Sequence, residues 1–188
     1  ENLGQPMEAI CGALREIAGQ YRERLELVWP VHLNPNVQEP AHRLLGEVPN
    51  ITLTPPQDYL PMVHLMKHST LVLTDSGGIQ EEATSLGVAA LVLREVTERP
   101  EGVEAGVLKL VGADRARIVA ETRRLLEDEQ AYAAMAGFEL LLVLLMLKVS
   151  RPPGQTEARH RLQAWTLVLL SLLLLGGMIA LVFYLHDV

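Results

Sequence analysis

Apolar positions set a regular beat along the first two thirds of the chain. Met7, Ile10, Leu14, Ile17 and Tyr21 recur at helical spacing and predict an amphipathic helix over residues 6–21. A short apolar run over 25–31 predicts a strand ending in Trp29-Pro30. The turn His32 to Pro35 then leads into a helix that Gly46 stops. A second strand, 51–54, is broken by Pro55-Pro56, and Asp58 is placed to cap a helix running through Lys67. Pro61 is tolerated only near that helix's start. A third strand covers 71–74, with a helix over 79–86 and Gly87 as its stop. Strands over 89–93 and 107–111 flank a loop around 98–102. Asp114 then caps a helix to about residue 126, and Asp128 opens a further short one. Strand and helix alternate throughout. That argues an α/β domain, a Rossmann-like parallel sheet with helices on both faces, over residues 1–136.

The pattern changes after Ala136. Residues 140–147 are apolar but too few to cross a bilayer, and predict a buried or interfacial helix. Residues 150–161 carry Pro152-Pro153-Gly154 and read as a linker, so 137–163 is a connecting region. Residues 164–185 lack formal charge and have the length of a membrane-spanning helix, with Trp165 and Tyr184 near its ends. Arg151, Arg159 and Arg161 precede that run, which would put the globular part on the cytoplasmic side. Two readings of this tail stand: a genuine anchor allowing membrane insertion, or unrelated sequence joined by truncation, frameshift or assembly error. The second is favoured.

Composition narrows the function classes. The chain has 188 residues and a formal net charge of −7. With no basic block it lacks the electrostatic footprint of a nucleic-acid binder. The single cysteine, Cys11, excludes an internal disulfide and a cysteine metal site, and its helical surroundings predict a small buried apolar residue. His64 and His68 are an i, i+4 pair, a spacing that metal sites use, but no third ligand follows from the sequence.

The stretch richest in chemistry is 71–82, Leu-Val-Leu-Thr-Asp-Ser-Gly-Gly-Ile-Gln-Glu-Glu. An apolar strand meets a tight turn with two glycines and then a helix. Gly77 and Gly78 let the backbone approach an anion, Ser76 adds a hydroxyl, and the helix start carries the positive end of the dipole. Glu82, one turn further on, is placed to accept bonds from sugar hydroxyls. The segments holding His32, Gln57, Ser76 and Arg99 all follow predicted strands. In a parallel sheet they gather at the carboxyl edge, where ligands bind.

Residues 74–82 together with Thr97-Glu98-Arg99-Pro100-Glu101-Gly102 resemble the non-hydrolysing UDP-N-acetylglucosamine 2-epimerases. The stretches 30–37 and 57–61 agree with this, and the resemblance covers residues 1 to about 136. It implies one half of a two-domain GT-B-type fold and a cytoplasmic homodimer. It also implies that UDP-N-acetylglucosamine is interconverted with its manno epimer, without metal or nicotinamide. In that reaction a proton leaves C2, UDP is expelled to leave a glucal, and UDP then returns. The resemblance gives Ser76, Gly77 and Gly78 the diphosphate, Glu82 the ribose, and Arg99 a phosphate contact. Gln57 and Met62 recognise the nucleotide, Met62 standing where the family often has Phe. His32 is implied near the cleft, as a possible regulatory contact.

Three departures qualify it. The His-Arg-Arg run that precedes this position in the family is absent, as is the Asn-Pro-Tyr-Gly-Asp-Gly motif that follows. Thr84 and Ala89 replace two prolines. The family's acid–base carboxylates belong to a preceding domain, so no catalytic residue is assigned and the chain alone is expected to be impaired. Two alternatives remain: a membrane-tethered nucleotide-sugar-binding or scaffold module without chemistry, and the donor-binding half of a glycosyltransferase.

Overall fold

The structure, a computed structural model, describes residues 2–136. The expected connecting helix, linker and membrane span lie outside the described residues. Within them, no helix is long and apolar enough to cross a membrane.

The element order is α1 (Gln5–Gln20), β1 (Leu27–Pro30), α2 (Pro35–Leu45), β2 (Ile51–Thr54), α3 (Tyr59–Met66) and β3 (Leu71–Thr74). It continues with α4 (Gly77–Ser85), β4 (Ala89–Val92), α5 (Pro100–Glu104), β5 (Leu108–Leu110), α6 (Arg115–Glu127) and α7 (Glu129–Ala136). All five expected strands are present. The short helix α5 replaces an expected loop. Its five residues contain Pro100 at the first turn and Gly102, a composition that hides so short a helix.

The strand pairing departs from expectation. One continuous sheet was expected, but the hydrogen-bonded groups are β1-β2 and β3-β4-β5. Every pairing within them is parallel, with Leu27 opposite Ile51, Leu71 opposite Ala89 and Ala90 opposite Leu108. Helix α1 shows that the two groups point the same way. At its head, Asn2 Nδ2 donates to the carbonyl of Leu93, just past the carboxyl end of β4, at 2.8 Å. At its tail, buried Asn50 Nδ2 donates to the carbonyls of Ala18 and Leu25 at 3.1 and 2.9 Å. Asn50 lies just ahead of β2, so both groups run from the tail of α1 toward its head.

Side-chain alternation along β4 places helices on both faces. Ala89, Leu91 and Leu93 pack into the main core with Ile10, Leu14 and Ile17 of α1 and Ile118 and Leu125 of α6. Ala90 and Val92 pack the other way, with Ala83, Val107 and Leu108. Cys11 belongs to the main core and is fully buried. Burial pushes its thiol up to about 11, which keeps it an inert apolar group at neutral pH.

Caps fix the helix starts. Asp114 Oδ1 accepts from the Arg117 amide and Asp128 Oδ1 from the Ala131 amide, each at 2.9 Å. Asp58 occupies the cap position of α3, but its side chain makes no capping bond. Gly87, at φ +67°, supplies the left-handed residue that ends α4.

Candidate functional site

The carboxyl ends of the strands carry most of the residues singled out from sequence. Helix α4 starts at Gly77, two residues earlier than expected, so both glycines lie in its first turn. Ser76 is the cap residue. Its Oγ accepts from the Ile79 amide at 3.5 Å, and its own amide donates to Thr74 Oγ1 at 3.0 Å. A side chain built on Gly77 would meet nothing within 4 Å, and one on Gly78 only Ser76 Oγ at 4.0 Å. The space over this helix start is open, and first-turn amides lack intrahelical acceptors. An anion can reach them, with the helix dipole in its favour.

Arg99 is held from several sides. Its Nε donates to Glu81 Oε1 in an ion pair, and its Nη1 donates to the Glu98 carbonyl at 3.0 Å. Its backbone amide donates to Thr97 Oγ1 at 3.1 Å. Thr97 Oγ1 in turn donates to Gln80 Oε1 at 2.6 Å. Gln80 is fully buried on α4. A relay from the helix interior thus fixes the backbone at Arg99, and Glu81 fixes the guanidinium on the outside.

Sequence reasoning missed Gln80 and Thr97. The signal was a polar residue one turn before buried Ala83, on the covered face of α4, which needs a partner. Gln80 Nε2 has no hydrogen-bond partner among the described residues.

His32, Met62 and Ser76 all line one cavity of about 540 Å³, along with Asp75. His32 is exposed, and its Nδ1 accepts from the Asn34 amide at 3.1 Å. Met62 is half-buried and packs beside Val63 and Met66. Gln57, Glu82 and Arg99 stand outside this cavity's lining. Gln57 is turned onto its own loop, with Nε2 donating to the Pro55 carbonyl at 2.7 Å. Glu82 is half-buried on α4, next to Glu81.

The histidine pair on α3 has ring centroids 4.6 Å apart, and His68 Nδ1 lies 3.3 Å from the His64 carbonyl. No group of three potential ligands gathers around any point among the described residues.

Residues 1–140 match the UDP-N-acetylglucosamine 2-epimerase family. A UDP-N-acetylglucosamine 2-epimerase of Salmonella typhimurium is 58% identical over 136 residues, which is 72% of this chain and 36% of that relative. The corresponding protein of Escherichia coli K12 is 57% identical over the same shares. Among solved structures, the Neisseria meningitidis UDP-GlcNAc 2-epimerase bound to UDP-GlcNAc aligns with a TM-score of 0.71 at 48% identity. That alignment covers 72% of this chain and 36% of that one. The Methanocaldococcus jannaschii enzyme in complex with UDP-GlcNAc and UDP aligns at 0.60 with 28% identity, over 77% of this chain and 42% of that one. The chain therefore spans little more than a third of the length of these relatives. The family match spans most of the chain and the solved relatives share its fold, and the chain belongs to the UDP-N-acetylglucosamine 2-epimerase family.

Proposed function

We propose that this chain is the part of a UDP-N-acetylglucosamine 2-epimerase that grips the UDP moiety. The observation that carries the reading is the open, Ser76-capped start of α4 with two glycines in its first turn. A diphosphate set there accepts from backbone amides and meets the positive end of the helix dipole. Arg99, kept on the flank of α4 by Glu81, adds a planar cation suited to phosphate oxygens. Glu82 takes ribose hydroxyls. Met62 and Gln57 receive the base, and His32 lies at the rim.

The grip has a chemical purpose. Epimerisation by release and return of UDP needs the leaving group held while it is detached. Preorganised donors at its phosphates lower the barrier as charge develops there. Proton transfer at C2 needs groups poised over the sugar. None of the described residues is assigned that task, so the chain on its own turns over UDP-N-acetylglucosamine poorly or not at all. Robust epimerisation by the isolated chain would contradict this.

Calorimetric titration of UDP tests the grip. Binding is expected, weakened about tenfold by Ser76→Ala and by about tenfold or more by Arg99→Ala, the loss of a charge-assisted contact. No uptake at millimolar UDP, or variants that bind like the parent, would overturn the proposal.

A further inference from the structure

His64 and His68 stand apart from the site described above. His64 lies in the last turn of α3 and His68 just beyond its end. The Lys67 amide donates to the Val63 carbonyl at 2.9 Å and the His68 amide to the Leu65 carbonyl at 3.3 Å. This tightened turn carries His68 one turn past His64. Both residues are exposed, so neither ring is there to fill the core.

Spacing alone makes the two rings neighbours. Their geometry makes them a chelating pair. The ring centroids are 4.6 Å apart. A transition cation about 2.0–2.1 Å from an imidazole nitrogen lies about 3.2 Å from the centroid of that ring. Two rings held at about a right angle around one cation then have centroids about 4.5 Å apart, and at a tetrahedral angle about 5.2 Å. The observed separation is that of adjacent positions in a square or octahedral shell. An exposed ring turns about its Cβ–Cγ bond, which swings its nitrogens and leaves its centroid in place.

The proton on His68 is also fixed. Its Nδ1 lies 3.3 Å from the His64 carbonyl oxygen. A carbonyl only accepts, so Nδ1 carries the proton and Nε2 the lone pair. Histidines that bind metals are held in this way, one ring nitrogen donating to a backbone carbonyl while the other ligates. The same contact caps a carbonyl at the end of α3. Capping accounts for Nδ1 of His68, but not for a second imidazole standing beside it at chelating distance.

We propose that His64 and His68 form a two-imidazole site for a divalent transition cation of the copper or nickel type. His68 binds through Nε2, and water fills the remaining positions. The donors decide the class, since imidazoles suit copper, nickel and zinc, whereas magnesium and calcium take oxygen. The near-right angle favours copper and nickel over tetrahedral zinc. Among the described residues no third protein ligand joins the pair, and a cation that keeps its waters needs none. The bound cation staples the last turn of α3 to the residue that follows it. That helix packs through Val63 and Met66 into its own core cluster, which the staple secures. The inference rests on the end of α3 and holds whether or not UDP binds.

Titration of the full chain with nickel(II) chloride and with copper(II) sulfate tests it, followed by calorimetry and by the histidine ring signals in proton NMR. Either cation is expected to broaden the ring signals of His64 and His68 ahead of those of His32 and His42, and to raise the melting midpoint. Magnesium chloride should do neither. His64→Gln and His68→Gln each remove one arm of the chelate, so each should weaken binding by about tenfold or more and abolish the rise. His42→Gln, at an exposed position on α2, should bind as the parent does. A parent that binds no more tightly than either single variant would overturn the proposal, as would broadening centred on other histidines. So would a His68→Gln chain that melts earlier without metal yet keeps its affinity for the cation, since His68 would then be a cap alone.

Discussion

β4 and β1 are both four-residue strands, and β1 has the larger apolar side chains. Yet β4, Ala-Ala-Leu-Val, is buried at every position, while β1, Leu-Val-Trp-Pro, is only half-buried at every position. The difference lies in their neighbours. β4 has β3 and β5 on its edges and packed helices on both faces. β1 has β2 on one edge and the cavity lined by His32 and Ser76 on the other. Hydrophobicity gives a strand its capacity to be buried; the strands beside it decide how much of that capacity is used.

Truncating each strand breaks or sharpens this contrast most strongly. Leu91→Ala in β4 is expected to cost about 2–5 kcal/mol, a full core truncation. Val28→Ala in β1 is expected to cost about 1 kcal/mol, because its side chain is partly in water already. Denaturant unfolding of the two variants measures both, and equal losses would erase the distinction.

The next effect lies on the other face of the β3–β5 group. Gln80→Leu and Thr97→Val should each destabilise by about 1 kcal/mol. The double variant should cost clearly less than the two together, because both remove the same 2.6 Å bond. Additive losses would deny the relay behind Arg99.

Asp114→Ala removes the cap of α6, which packs on the same core as β4, and should cost about 1 kcal/mol.

The smallest effect is a pH dependence at that helix. Burial pushes the Glu121 carboxyl up, but Lys109 at 2.7 Å and Arg124 at 3.4 Å outweigh it and hold the group below the ordinary carboxylate range. The folded chain therefore takes up this proton less readily than the unfolded chain. Its stabilisation is complete above the ordinary carboxylate range and is lost as pH falls through the lowered folded value. Glu121→Gln should lower stability by a constant amount above the ordinary carboxylate range and match the parent at low pH, flattening the acid side of the curve, as melting midpoints across that range would show.

Much of this architecture was legible in the sequence because its signals are local. Pro55-Pro56 and Gly87 end their elements, and Asp114 and Asp128 cap theirs. The apolar runs over 71–74 and 89–93 are short, as strands require. The start of α4 was misplaced because Gly77 and Gly78 read as turn residues, whereas the cap at Ser76 draws them into the helix. The split between β1 and β3 was invisible, since pairing joins residues far apart in sequence and leaves no local mark. At the site, the strand–serine–glycine–glycine–helix order around Ser76 was readable, and Ser76 does cap the helix that follows. The support behind Arg99 was not, because Gln80 and Thr97 become partners only when α4 and the following loop pack together.

The central claim is that UDP is gripped at the start of α4, and backbone amide shifts of the full chain on titration with UDP test it most directly. Saturable shifts are expected at Gly77, Gly78, Ile79 and Arg99, with Leu27, at the far end of β1, unmoved. Shifts absent from the α4 start at millimolar UDP, or no larger there than at Leu27, would contradict it.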